Sequence, residues 1–322
     1  SNFKDLKRKK LTVDLSLEWE NDCCSDQFRY DVHLTTPTDT DYWRYHSEVF
    51  FQNDERIWGR SNASQQQANS YIGFFLIDDN QELTNGRKIA QHFSSYGIFQ
   101  PNTMTLRGTI PDPNQTTPIG LNGGRLAEAI KALIHEEDGE LYFGSLYMDD
   151  ILDMIDWASD ISVDAPKKSN INANIPTTRQ IIEFTDRYMK ENSRFTGYDA
   201  SEGALYVLFM LALAMHPQGP SIFAVDSFDH ALNPRLAKKM IQVFCEQIIQ
   251  NNKHVFLTTH NPLVLDGLDL TNDDIRLFAV DRDDNGHAQI NRILVSQELI
   301  NEGQSLSRLW INGRLGGVPT LL

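Results

Sequence analysis

The sequence predicts an α/β fold with a mostly parallel core sheet, an antiparallel β meander near its start and a helical insertion between the two. Three observations carry this. Residues 222–225 and 254–257 are short apolar runs of the kind that form strands buried on both faces of a parallel sheet. Between them, Leu236, Met240, Val243, Phe244 and Ile248 recur at helical spacing opposite Lys238, Lys239, Gln242 and Glu246, making a strand, helix, strand unit. Near the start, Leu11, Val13, Leu15, Leu17 and Trp19 alternate with Thr12, Asp14, Ser16, Glu18 and Glu20 at a period of two.

The other elements follow in order. Phe28, Tyr30, Val32 and Leu34 repeat the alternation, and Val49 with Phe51 suggests a third strand. Residues 61–70, rich in Asn, Gln and Ser, read as an exposed loop, and residues 110–119, with three prolines, as a connector. A helix opens within 120–129, and the alternately acidic and apolar stretch 146–157 predicts an amphipathic helix. Residues 167–174 form a polar loop before a helix expected over 178–190. The apolar stretch 204–215 is a buried helix, and Leu309 and Trp310 belong to a terminal helix docked on the core. The domain boundaries expected are 1–100 for the antiparallel part, 101–195 for the helical lid or insertion, and 196–322 for the parallel lobe.

Composition sets outer bounds. The 322 residues suffice for one large or two ordinary domains. With 29 basic against 44 acidic residues the net charge is −15, which suits a polyanion poorly outside a local basic patch. The only dense basic run, Lys4 to Lys10, reads as a solvated helix end. Cys23, Cys24 and Cys245 make neither a disulfide framework nor a zinc site. No secretory signal and no apolar run long enough to span a bilayer occur, so a cytoplasmic protein with no membrane partner is expected.

Chemistry concentrates after residue 197. Asp226 and His260 follow the two apolar strands, at the carboxyl edge where open parallel sheets bind ligands. An aspartate there can hold the water shell of Mg2+, and a histidine can touch a terminal phosphate or its attacking water. Ser201 and Gly203 open the apolar helix, where free N–H groups and the dipole favour an anion. Each residue also has a plainer use: Ser201 as a helix cap, His260 before Asn-Pro as a turn residue, Asp226 as an ordinary strand end.

In order and spacing, the segments 198–204, 221–234 and 254–262 resemble the signature, Walker B with D-loop, and H-loop segments of ABC-type P-loop ATPase heads, in the branch with SMC, RecF and OLD-like proteins. The resemblance implies an ABC-ATPase-like head that dimerises around ATP and Mg2+. It implies Asp226, Asp229 and His260 as catalytic residues and Asp226 as the metal ligand. Ser201, Glu202, Gly203 and Ser227 are then nucleotide contacts, the signature loop completing the mate's site. The ending from Leu306 to Pro319 is similar to that of small AAA-family ATPases of bacterial anti-phage systems, which work beside a nuclease or toxin. Without sustained heptads, a long SMC-type arm is disfavoured.

Two features depart from the pattern. Where many relatives have a glutamate after the Walker B aspartate stands Ser227, and the next carboxylate is Asp229. No G-x-x-x-x-G-K-[ST] occurs, and the glycine-rich segments 121–125 and 314–317 lack its lysine and hydroxyl. Either a phosphate loop lies on a segment outside this sequence, or the protein is a pseudo-ATPase. The function expected is an ATPase that controls a nuclease or toxin effector in anti-phage defence as a homodimer or higher oligomer. The alternatives are a non-hydrolysing scaffold for a nuclease complex and a RecF-like DNA-repair ATPase, which leaves nucleic acid open as a partner.

Overall fold

The computed structural model describes residues 12–20, 27–36, 43–60, 95–112, 118–166, 180–189, 194–284, 286–294 and 305–317. The basic run 4–10, Cys23 and Cys24, and the polar segments 61–70 and 167–174 lie outside the described residues. The chain forms two compact units, 1–94 and 95–322.

The first unit holds a four-stranded antiparallel meander, β1 (Thr12–Glu20), β2 (Gln27–Thr35), β3 (Arg44–Gln52) and β4 (Glu55–Arg60), in that order. The period of two is borne out in β2, where Phe28, Tyr30 and Val32 are buried and Phe28 stacks on Phe50 with ring centroids 6.1 Å apart. In β1, Leu15 and Leu17 are exposed, at 47% and 38%. The third strand exists with its facing reversed, Glu48 and Phe50 pointing inward and Val49 and Phe51 half-buried. Glu48 tolerates complete burial because Tyr30 Oη donates to it at 2.6 Å and Arg60 pairs with it at 2.6 Å. Asn53 and Asp54, at φ 51° and 62°, close the β3–β4 hairpin with the twist a two-residue turn needs.

In the second unit β5 (Ile98–Phe99) and α1 (Thr103–Leu106) precede α2 (Leu126–Leu133), which the opening at 120–129 foretold. A small antiparallel sheet follows, β6 (Ile134–Glu137), β7 (Glu140–Phe143) and β8 (Leu146–Tyr147). The predicted 146–157 helix is shorter, α3 (Met148–Met154), because Leu146 and Tyr147 pair with β7 and the chain extends again into β9 (Ala158–Asp164). The helix expected over 178–190 is replaced by a strand, β10 (Ile181–Asp186), held between β9 and β11 (Arg194–Thr196). Ile181, Ile182, Phe184 and Thr185 are β-branched or aromatic, and pairing on both edges outweighs their weak helical periodicity.

The remaining elements are α4 (Glu202–Met215), β12 (Ile222–Val225), α5 (Pro234–Gln250), β13 (His254–Leu257) and α6 (Pro262–Leu265). A hairpin of β14 (Leu277–Arg282) and β15 (Ala288–Ile293) and α7 (Leu306–Ile311) are the last elements among the described residues. Every residue of α4 from Ala204 to Met215 is buried, as an apolar-all-round helix requires. Asn233 caps α5, accepting from Leu236 N at 2.9 Å, and Pro234 takes the first helical turn, where its missing N–H costs nothing. In α7, Leu309 is buried as expected.

The core sheet is parallel, in the order β13, β12, β5. Phe223 and Val225 of β12 share the buried core with α4 and α5, and Phe99 meets Phe209 of α4 and Phe223 at 6.3 and 5.7 Å. Burial on both faces, as predicted, is not found. Ile98 and Phe256, the partners of Ala224 on either side, are 59% and 66% exposed, so the described helices cover one face.

Candidate functional site

With β12 between two parallel neighbours, the carboxyl ends of three strands meet at one edge. Asp226 leaves the end of β12, exposed, its amide donating to Phe99 O at 3.1 Å. His260 lies three residues past β13, exposed, just before α6. The two residues thus leave adjacent strands on the same side of the sheet. Gln100, which follows β5, puts a third exposed polar side chain on this edge, and nothing in the sequence reading singled it out.

The β12 corner is tightly built. Ser227 has φ 60°, left-handed for a non-glycine residue, and such strain persists only where surrounding bonds impose it. Three bonds do so: Ser227 N donates to Thr258 Oγ1 at 2.8 Å, Tyr206 Oη donates to Ser227 O at 2.9 Å, and Phe228 N donates to Thr258 O at 2.8 Å. Thr258 Oγ1 in turn donates to Asp226 Oδ1 at 2.6 Å, and Thr259 Oγ1 donates to Asp229 Oδ1 at 2.6 Å. Each carboxylate has one oxygen on a hydroxyl, and among the described residues no Lys or Arg is paired with either.

Ser201 is the N-cap of α4, exposed, accepting from Ala204 N at 3.3 Å. The helix-cap use and an anion-facing use share this geometry, since the other amides of the first turn stay open. Glu202 bonds Thr103 and stands 3.6 Å from His230 Nε2. Gly203 lies under the β12 loop, where a Cβ would come within 3.1 Å of Ala231 O. The start of α4 and the loop after β12 are therefore one packed assembly. Burial raises the Tyr206 pKa, and the charges of Asp229, Asp226 and Glu202 raise it further, which keeps the phenol a hydrogen-bond donor.

Neither described glycine-rich segment is shaped for phosphate. The 120–124 loop wraps Asp112, which accepts from Asn122 N at 3.0 Å and Gly124 N at 3.2 Å. A Cβ on Gly120 or Gly124 would come within 2.5 or 2.3 Å of that side chain. At the other end, Gly317 N donates to Asp281 Oδ1 at 2.7 Å, and a Cβ on Gly316 would meet Asp281 Oδ2 at 2.8 Å. In both places the glycines admit an internal aspartate.

As to metal, no group of three or more His, Cys, Asp or Glu fit for an ion occurs among the described residues. Mg2+ needs no such cage, since it binds through one or two carboxylates, waters and substrate phosphates. An exposed carboxylate with an uncommitted oxygen, as at Asp226, fits that role. Among the described residues no helix is long and apolar enough to cross a membrane.

Residues 161–266, which contain every site residue from Ser201 to His260, match the family model described as AAA domain, putative AbiEii toxin, Type IV TA system. No curated protein matches the chain. Among solved structures, the chain is similar to an SMC head bound to the C-winged helix domain of ScpA, at 8% identity over 90% of this chain and 76% of that one, TM-score 0.45. The SMC head domain from Thermotoga maritima is 10% identical over 84% of this chain and 76% of its own, TM-score 0.37. A structure from work on ATP-driven dimerization and DNA stimulated activation of SMC ATPases is 12% identical over 48% of this chain and 86% of its own, TM-score 0.32.

Proposed function

We propose that the protein is an ATP-binding and ATP-hydrolysing ABC/SMC-like ATPase that dimerises around nucleotide and thereby controls a partner effector, a nuclease or toxin of a prokaryotic anti-phage system. The observation that carries the ATPase reading is the shared edge: Asp226 and His260 leave adjacent parallel strands, with Asp226 bonded to a hydroxyl instead of a cationic side chain. The AAA domain match over 161–266 supports it. The effector rests on the likeness of the chain's ending to small defence ATPases, and the domain scheme places the nucleotide lobe at 196–322.

In this reading Asp226 would hold Mg2+, which would offset the negative charge of the phosphates. His260 would contact the terminal phosphate or orient the attacking water, and Asp229, the next carboxylate along the chain, would accept its proton. Ser227 contributes a polar edge in place of the usual glutamate. Ser201, Glu202 and Gly203 face the nucleotide of the mate, offering a hydroxyl and the open amides of α4.

The test is nucleotide turnover by the intact protein beside Asp226→Ala and His260→Ala. Loss of turnover in both variants, with the helical circular dichroism kept, is the expected result. Equal, near-zero rates in all three proteins would remove hydrolysis. One observation favours that second reading, a non-hydrolysing scaffold: Asp229 already has one carboxylate oxygen on Thr259, as a poorly placed base would.

A further inference from the structure

Thr258 has no part in the chemistry so far. Its main chain is pinned to the neighbouring strand, N–H donating to Val225 O at 3.1 Å and C=O accepting from Phe228 N at 2.8 Å. A β-branched side chain on a fixed backbone has few χ1 choices, so the hydroxyl points in one direction. That hydroxyl owns a single proton. Ser227 N–H occupies a lone pair at 2.8 Å, and the proton goes to Asp226 Oδ1 at 2.6 Å. The left-handed φ of Ser227 turns the chain after that N–H, bringing Ser227 O to Tyr206 Oη and Phe228 N to Thr258 O. Thr259 differs: it holds Asp229 Oδ1, but its lone pair serves Asn261 N in its own loop at 3.1 Å. The Thr258 hydroxyl therefore bonds the β12 corner twice, at Ser227 N and Asp226 Oδ1, whereas that of Thr259 bonds it once.

We infer that Thr258 is a positioning residue for Asp226: by holding Oδ1 it fixes the plane of the carboxylate and leaves Oδ2 as the oxygen presented to a divalent cation. Asp226 is exposed, and without this bond its carboxylate rotates freely in water. Hydrogen-bond partners of metal-binding carboxylates commonly change metal affinity about 10- to 100-fold when removed. This rests on the nucleotide-binding reading above, and the experiment separates the two.

Mn2+ binding to the intact protein is measured by electron paramagnetic resonance with a non-hydrolysable ATP analogue present, for wild type, Thr258→Val and Thr258→Ser. Analogue binding without divalent metal and the thermal midpoint are followed alongside. The expected result is an about 10- to 100-fold rise in the Mn2+ concentration for half-saturation in Thr258→Val. Metal-free analogue binding stays unchanged, and Thr258→Ser returns Mn2+ binding toward wild type. Unchanged Mn2+ binding in Thr258→Val overturns the role of Thr258 and leaves the nucleotide reading standing, as does an equal loss in Thr258→Ser. Failure of the wild type to bind Mn2+ with the analogue overturns both.

Discussion

The phenol of Tyr206 donates a 2.9 Å hydrogen bond to the carbonyl of Ser227, joining the second turn of α4 to the left-handed corner after β12. One end of this link belongs to the helix whose cap is Ser201, the other to the loop that begins with Asp226. Tyr206→Phe removes the link and keeps the buried ring. The expected cost is about 1 kcal/mol in denaturant unfolding, typical of one hydrogen bond. Turnover falls several-fold as the corner relaxes. Wild-type turnover at reduced stability would mean that the bond serves only the fold.

Ser201 separates capping from nucleotide contact. Ser201→Ala loses the cap and about 1 kcal/mol, while Ser201→Asp keeps an oxygen acceptor and near wild-type stability. The aspartate nonetheless repels a triphosphate offered by the mate. Urea midpoints beside ATP-dependent dimerisation by light scattering check this. The expected pattern is a stable Ser201→Asp protein that stays monomeric with ATP, and a Ser201→Asp protein that dimerises normally counts against the signature role.

Lys253 makes stability depend on alkaline pH. Its ammonium donates to the carbonyls of Leu213 and His216 at 2.8 and 3.0 Å, closing the C-terminal end of α4. Burial pushes its pKa down from 10.5 to about 8. Between those values the unfolded chain binds more protons than the folded one, so this lysine's contribution rises with pH across the window. Wild type should gain urea resistance relative to Lys253→Met between pH 7.5 and 10. The comparison is needed because Cys245, whose thiol burial raises to about 11, acts in the opposite sense from about pH 9 upward.

Gly124→Ala tests the assignment of the 120–124 loop. The added methyl would stand 2.3 Å from Asp112 Cβ, so the loop has to shift, at about 1–3 kcal/mol. Nucleotide affinity should not change once the protein is folded. A selective loss of ATP binding at unchanged stability would return this loop to the site.

The carboxyl edge was legible because strand ends are local: apolar runs, then Asp226 or His260, mark where each strand stops without knowledge of the rest. What surrounds it was not. Tyr206 reads as one more apolar residue in a helix buried all round, and its hydroxyl finds Ser227 only through the fold. Thr258 and Thr259 are ordinary β-formers until the neighbouring strand sets them against two aspartates. The strand at 181–186 was mistaken for a helix because its partners flank it on both sides and local periodicity says nothing of them. Inward-facing Glu48 broke the apolar alternation of β3, since a paired buried acid looks like a surface residue in sequence.

The pairing of Ile98 with Ala224 also bears on how the molecule is made. More than a hundred residues separate these sheet neighbours, so at ordinary translation speeds the short β5 segment leaves the ribosome roughly ten seconds before its partner exists. Through most of that interval Phe99 can reach only near-chain partners such as Leu106 and Ile119, and it gains the rings of Phe209 and Phe223 late in synthesis.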